Sequence, residues 1–277
     1  MKSTRKVRHR ADAIASATRY ERGNFQSTFR NSRCKPAPAD AAARRPYRKK
    51  GSRAPNGMPN IGAVILAAGE SSRLGQPKQL VQFRGKSLLG RIVEAASEAG
   101  CSPIAVVIAG DAGENALPNP HLNPLPEGEE KTVSRRDLKN LIVRELKESA
   151  TIVENENWRA GIGTSVRVGV QSLIDNTSSL EAIVLLVCDQ PFVDARTIGQ
   201  LRSLREKTKK PIVASAYSGT LGVPALFDRS CFLELIELSD ESGAKSIIMR
   251  NRERVAEFPF PQGEIDIDTV ADYEKHK

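Results

Sequence analysis

The run Ile61–Leu66 constrains the chain more than any other stretch of it. It holds no polar side chain and leads straight into Ala67-Ala68-Gly69. An uninterrupted apolar run this short reads as a strand buried on both faces, with the glycine opening a loop at its end. Strands of that kind belong to parallel sheets covered by helices above and below. The pattern recurs at Pro103–Ala109, Ala182–Val187 and Pro211–Ala216, and further strands are expected at Thr151–Val153 and Gly222–Phe227. Across Ser87–Ala99, Leu88, Leu89, Ile92, Val93 and Ala96 follow helical spacing, and Gly100 supplies a stop. Further helices are expected at Asp137–Lys147, Thr164–Ile174, Asp194–Lys207, Cys231–Leu238 and Ser242–Arg250. This alternation predicts a single α/β domain over residues 58–277, with one doubly wound, mostly parallel sheet and helices on both faces (Rossmann-like).

The net charge of +9 invites a nucleic-acid partner, but its distribution argues otherwise. Residues 1–57 hold 16 Lys and Arg against 3 Asp and Glu; the rest of the chain holds 26 against 30. The basicity belongs to the N-terminal segment, and the predicted domain is mildly acidic, which disfavours a specific nucleic-acid-binding domain. Residues 1–57 also lack any sustained apolar period, so disorder is expected there. Such a segment reads as a tail for nucleic acid or membrane surfaces, as an organelle transit peptide, or as an extension without function ahead of Met58. The last is preferred, because the first strand begins directly after Met58.

Cys34, Cys101, Cys188 and Cys231 are too scattered for a zinc, iron–sulfur or disulfide framework. No run approaches the about 20 apolar residues that span a bilayer. Together these point to a cytoplasmic protein with no membrane partner. Residues 112–136 break the alternation: Pro118, Pro120, Pro124 and Pro126 forbid helix and strand alike, so the segment reads as a surface insertion.

The chemistry concentrates in Leu66-Ala67-Ala68-Gly69-Glu70-Ser71-Ser72-Arg73-Leu74-Gly75-Gln76-Pro77-Lys78. A buried strand delivers small residues to the carboxyl edge of the sheet, where Leu66, Ala67, Ala68 and Gly69 let backbone amides approach phosphate oxygens. Ser71 and Ser72 add hydroxyls, Arg73 a planar fork and Lys78 a point charge. This donor set suits a triphosphate. It contains neither Gly-x4-Gly-Lys-Ser/Thr nor Gly-x-Gly-x-x-Gly.

A second feature is Asp189, placed directly after the apolar run that ends at Cys188. A carboxylate at such a strand end needs a partner. Mg²⁺, which takes one or two carboxylates plus phosphate oxygens and water, would provide one. The alternative, a cap for the helix beginning near Asp194, is better served by Asp194 itself. Third, alternation in Ile265-Asp266-Ile267-Asp268-Thr269 puts Asp266 and Asp268 on one face. Asp268 is preferred as a second metal ligand, against the alternative that Asp268 or Thr269 caps the last helix. Fourth, Gly161 and Gly163 precede a helix with Thr164 or Ser165 available as cap, which would leave amides exposed to a ligand; Trp158 could stack on a ring.

The loop at 66–78 resembles the signature Leu-Ala-Ala/Gly-Gly-x-Ser-x-Arg-x-Gly-x-x-Lys of the molybdopterin-guanylyltransferase-like NTP transferases. Its Ala-Ala-Gly form with Pro77-Lys78-Gln79 is most similar to the branch that includes molybdenum cofactor cytidylyltransferase. The resemblance runs from about Ile61 to Tyr273, apart from the insertion. It implies the nucleotide-diphospho-sugar transferase-like fold, with Lys78, Arg73 and Asp189 as catalytic residues and Asp189 and Asp268 as Mg²⁺ ligands. It further implies that Gly163, Thr164 and Ser165 lie where the base is recognised. Gly222–Phe227 and Ser242-Gly243-Ala244-Lys245 resemble elements that shape the acceptor side, although Lys245 replaces the usual Arg.

The implied reaction is transfer of CMP from CTP to a phosphorylated acceptor such as molybdopterin, releasing pyrophosphate. A molybdoenzyme or its maturation chaperone is a further implied partner. The alternatives are a guanylyltransferase or another cytidylyltransferase of the same fold, a nucleotide-binding protein without catalysis, and a nucleic-acid-binding protein acting through its basic tail.

Overall fold

A computed structural model describes residues 60–69, 71, 73–110 and 134–277. The basic N-terminal segment, most of the expected insertion, and Ser72 of the expected phosphate loop lie outside the described residues. In chain order the elements are β1 (Ile61–Leu66), β2 (Gln82–Phe83), β3 (Lys86–Ser87), α1 (Leu88–Glu98), β4 (Ile104–Ala109), α2 (Arg135–Leu146), β5 (Thr151–Asn155) and α3 (Ile162–Asn176). They continue with β6 (Ala182–Val187), α4 (Ala195–Thr208), β7 (Ile212–Tyr217), β8 (Thr220–Asp228), α5 (Phe232–Ile236), α6 (Lys245–Arg250), β9 (Val255–Pro259) and α7 (Val270–His276).

The continuous apolar strands form the centre of a seven-stranded sheet in the order β5-β4-β1-β6-β8-β7-β9. β1 pairs in parallel with β4 and with β6, and only β8 runs antiparallel to its neighbours. Period-two alternation along β1 divides the core. Ile61, Ala63 and Ile65 join Leu89 and Ile92 of α1, Ile142 of α2 and Leu201 of α4 on one face. Val64 and Leu66 join Val166 and Val170 of α3, Leu235 of α5 and Ile247 of α6 on the other. The sheet is therefore covered on both sides, as its composition requires.

From β1 the chain proceeds outward to β4 and β5, whereas from β6 it proceeds the opposite way, toward β8, β7 and β9. In open sheets of this kind ligands bind outside the carboxyl ends of the strands where that direction reverses. Here the reversal lies between β1 and β6, whose last residues, Leu66 and Val187, are register partners. This topological accident of strand order fixes where a site can form.

Several boundaries differ from the sequence expectation, each for a local reason. α2 begins at Arg135 with Ser134 as its cap, so the last residues of the expected insertion belong to a helix. α3 begins at Ile162, two residues before the expected start. α6 begins at Lys245, later than expected, because the preceding Ser239–Ala244 segment is engaged elsewhere. β9 was not expected. Glu257 and Pro259 interrupt its apolar character, and as an edge strand paired only to β7 it tolerates both. Pro224 sits inside β8 because the pairing to β7 slips there: Ala214 faces Ala225 and Ser215 faces Gly222, leaving Pro224 in a bulge where no ladder donor is needed. No helix among the described residues is long and apolar enough to cross a membrane.

The contact between α3 and the sheet depends on Gly169. A Cβ at that position would lie 2.5 Å from Val64 Cγ1 and 2.7 Å from Val107 Cγ2, both on buried strands. Gly169→Ala gains helix propensity but overpacks this interface, and should destabilise the domain by about 1–3 kcal/mol. Urea denaturation measures the change; equal or greater stability would show that α3 packs less closely than described.

Candidate active site

The carboxyl edge is tied together by the backbone before any side chain contributes. Ala67 N donates to Val107 O at 2.8 Å, and Cys188 N donates to Leu66 O at 3.2 Å, which joins the ends of β4, β1 and β6. Ala67 and Ala68 are buried and Gly69 is exposed at the mouth of the loop. The chain then returns through Leu74, which is buried with Val81, Phe83, Leu88 and Ile267 in a small apolar cluster. That anchor brings in a single turn of 3-10 helix at Lys78–Leu80. Two bonds fix its position: Lys78 N donates to Ser71 Oγ at 2.8 Å, and Gln79 Nε2 donates to the Ala67 carbonyl at 2.6 Å.

The Lys78 side chain is thereby directed into the β1–β6 crevice. Its ammonium donates to Asp189 Oδ2 at 2.6 Å and to Asp268 Oδ1 at 3.0 Å, with only 10% of the side chain exposed. Burial alone would lower its pKa. The Asp189 and Asp268 carboxylates override this and hold it above the ordinary lysine value, so Lys78 carries its charge throughout the physiological range. Arg73 reaches the other oxygen of Asp268 at 3.4 Å from solvent, its side chain being 70% exposed. A Cβ placed on Gly69 would lie 3.9 Å from Lys78 Nζ, so the loop backbone passes close to the ammonium.

Asp189 and Asp268 are free for this arrangement because other residues cap the helices. Asp194 caps α4, accepting from Thr197 N at 2.7 Å. Thr269 caps α7 in a reciprocal box with Asp272. Asp268 is placed by its neighbour: Ile267 is fully buried in the apolar cluster, and its N–H donates to the Asp189 carbonyl at 2.9 Å. Residues 265–268 form an irregular extended segment rather than a strand. Asp268 meets Asp189 through the shared Lys78 ammonium, and Asp266 lies near enough to feel both charges. Asp266 keeps contact with solvent, yet the protein packed around it, and then the charges of Asp189 and Asp268, raise its carboxyl to about 6. Two carboxylates on one buried ammonium, with the Asp266 carboxyl nearby, leave an excess of negative charge at the sheet edge.

The residues expected at the base are placed differently. α3 is capped by Gly161 with no side-chain cap, so neither Thr164 nor Ser165 serves as one. Both hydroxyls are buried in the first turn and accept from Asn155 Nδ2, at 2.7 and 2.9 Å. Gly163 N donates to the Asp240 carbonyl at 2.8 Å, and a Cβ there would lie 2.0 Å from Ser239 O. That amide is therefore used within the chain. Arg167 completes the contact, donating to the Leu238 carbonyl and, at 2.5 Å, to Asp240 Oδ1. The 157–167 and 238–245 elements thus form one unit. Trp158 is half-buried with Arg135 and Arg159 against its ring at 4.4 and 4.8 Å.

Asn155, Gln79 and Asp266 are the residues to which the sequence analysis gave no part or no preference. Asn155 carried only a weak signal: it is the buried polar end of β5, a short and mostly polar strand that finishes at the same sheet edge as Asp189. Asn155→Ala removes the donor to two buried hydroxyls and should cost about 1–3 kcal/mol in urea denaturation. A loss below about 0.5 kcal/mol would show that water replaces the amide.

The MobA-like NTP transferase domain matches residues 63–255. Nicotine blue oxidoreductase of Paenarthrobacter nicotinovorans is 27% identical over 219 residues, covering 69% of this chain and 93% of that protein. Molybdenum cofactor cytidylyltransferase of Escherichia coli K12 is 23% identical over 216 residues, covering 78% of this chain and 95% of that protein. Among solved structures, Rv0371c of Mycobacterium tuberculosis H37Rv superposes with a TM-score of 0.58 at 26% identity, covering 78% of this chain and 96% of that one. The match runs from Ala63 in β1 to the start of β9, taking in Lys78 and Asp189 but ending before Asp266 and Asp268, and the chain belongs to the MobA-like NTP transferase family of nucleotidyltransferases.

Proposed function

We propose that the chain transfers a nucleoside monophosphate, CMP from CTP, to a phosphorylated acceptor of the molybdopterin type and releases pyrophosphate. The observation that carries this reading is the Lys78 ammonium held between Asp189 and Asp268 beside the Ala67–Gly69 loop. A phosphate-binding cation and a pair of metal-binding carboxylates at one sheet edge are what transfer at an α-phosphorus needs.

The donor set fits Mg²⁺. Among the described residues no group of three or more His, Cys, Asp and Glu is arranged to hold a metal by protein ligands alone. Two carboxylates with room for phosphate oxygens and water is the arrangement Mg²⁺ favours over a closed cage. Held by Asp189 and Asp268, the ion would neutralise charge on the phosphates and polarise the α-phosphorus.

In this reading the amides of Ala68 and Gly69 and the Ser71 hydroxyl orient the triphosphate, with Ser72 assigned the same task from sequence alone. Lys78 and Arg73 counter the charge that gathers on the leaving pyrophosphate. An acceptor phosphate oxygen attacks the α-phosphorus in line as the bond to the bridging oxygen breaks, so no side chain forms a covalent bond. Positioning and charge supply the rate. The first turn of α3, from Gly163 to Ser165, borders the base through its rigid bonds to Asn155 and the Asp240 turn, rather than through free caps. The choice of cytosine over guanine rests on the Ala67-Ala68-Gly69 form and on the cytidylyltransferase relative.

A nucleotide-binding oxidoreductase is the second reading, favoured by one observation: the nicotine blue oxidoreductase is matched over nearly its whole length. Pyrophosphate release separates the two. With Mg²⁺ and a molybdopterin cofactor, CTP should be consumed in preference to GTP, and Asp189→Asn should lower kcat by at least about 100-fold without unfolding the chain. Release from GTP alone would move the assignment to guanylyl transfer. Binding of a nicotinamide dinucleotide with no pyrophosphate from either NTP would favour the redox reading, and a fully active Asp189→Asn variant would overturn the role given to that residue.

A further inference from the structure

We propose that Lys78 competes with the divalent cation for Asp189 and Asp268, so that the chain takes up metal together with the nucleotide and resists it beforehand. This rests on the metal assignment made above and concerns the order in which that site fills.

The ammonium uses two of its three donors on the same two carboxylates that would ligate the metal, at 2.6 and 3.0 Å. A cation arriving alone must break both charge-assisted bonds. It also strands a side chain that is only 10% exposed, which costs far more than losing a surface pair. Arg73 gives no substitute: it meets Asp268 alone, at 3.4 Å and from solvent. Nor can the segment withdraw as a whole, because Lys78 N is bound to Ser71 Oγ and Gln79 Nε2 to the Ala67 carbonyl. Only the side chain is free to turn, and it already lies beside the Gly69 backbone, where a Cβ would stand 3.6 Å from its Cε and 3.9 Å from its Nζ.

That is where the nucleotide changes the balance. Phosphate oxygens on the Ala67–Gly69 loop offer the displaced ammonium a new anionic partner, while the metal takes the vacated carboxylates. Lys78 thus serves as an internal counter-ion in the free chain and as a phosphate ligand in the loaded one. The exchange keeps the carboxylates from repelling one another in either state.

The test is Mn²⁺ binding to the nucleotide-free full chain, read from the EPR signal of free Mn²⁺, for the wild type, Lys78→Met and Asp189→Asn. Lys78→Met should bind Mn²⁺ at least about tenfold more tightly than the wild type, because the competing charge is gone. Mn²⁺ affinity that Asp189→Asn weakens but Lys78→Met leaves unchanged would overturn the competition while sparing the metal assignment. No Mn²⁺ binding by any form, Lys78→Met included, would overturn both. If Lys78→Met does not fold, the wild type decides by NMR of its ¹⁵N-labelled lysine ammonium groups. Saturating Mg²⁺ should shift or abolish the protected Lys78 signal, and an unchanged signal with metal bound would overturn the proposal.

Discussion

The ammonium of Lys78 joins three segments that are remote in the chain: the loop after β1, the end of β6 and the irregular stretch before α7. Its two partners, Asp189 and Asp268, lie 111 and 190 residues away in sequence. The Lys78 ammonium, whose side chain is only 10% exposed, is the member least tolerable alone, since an unpaired charge at that depth would be neutralised or expelled. The surrounding structure serves to make this meeting possible. Leu74 and Ile267 hold the Lys78 loop and the Asp268 segment in one apolar cluster, and the Ile267-to-Asp189 backbone bond ties the Asp268 segment to the end of β6.

The sheet supplies the location. With β1 central and the chain departing to opposite sides from β1 and β6, a crevice forms between their carboxyl ends. The loops after β1 and β6 leave from that edge, and α3 begins at the same edge, after the end of β5. Close packing through Gly169 and Gly163 then determines how near α3 and the Ser239–Ser242 turn approach that edge. A glycine in mid-helix and a glycine in a first turn are both unfavourable for helix formation. Here each is required by backbone or by buried side chains that leave no room for a Cβ.

Much of this was legible in the sequence, for reasons that also mark the limits. β1, β4 and β6 were readable because a strand buried on both faces must be apolar throughout, and Asp189 stood out as a charge placed directly after one. Asp194 could be recognised as a cap from position alone, which freed Asp189 for another partner, whereas Asp268 and Thr269 stayed equal candidates for the last cap until the Thr269–Asp272 box assigned it. β9 was hidden because an edge strand admits Glu257 and Pro259. The roles of Asn155 and of the Gly163 amide were hidden because their partners are set by how α3 docks against β5 and the Asp240 turn, which is a tertiary fact with no local pattern. The pairing of Lys78 with both carboxylates falls in the same class: each residue type was predictable, but their shared bond was not.

The measurement that bears most directly on this account is a crystal structure of the full chain with a non-hydrolysable CTP analogue and Mn²⁺, located by its anomalous signal. The account predicts Mn²⁺ bound by Asp189 and Asp268, with the Lys78 ammonium moved onto a phosphate oxygen beside Gly69. A triphosphate bound away from the Ala67–Gly69 loop, with Lys78 still lodged between the two carboxylates, would contradict it.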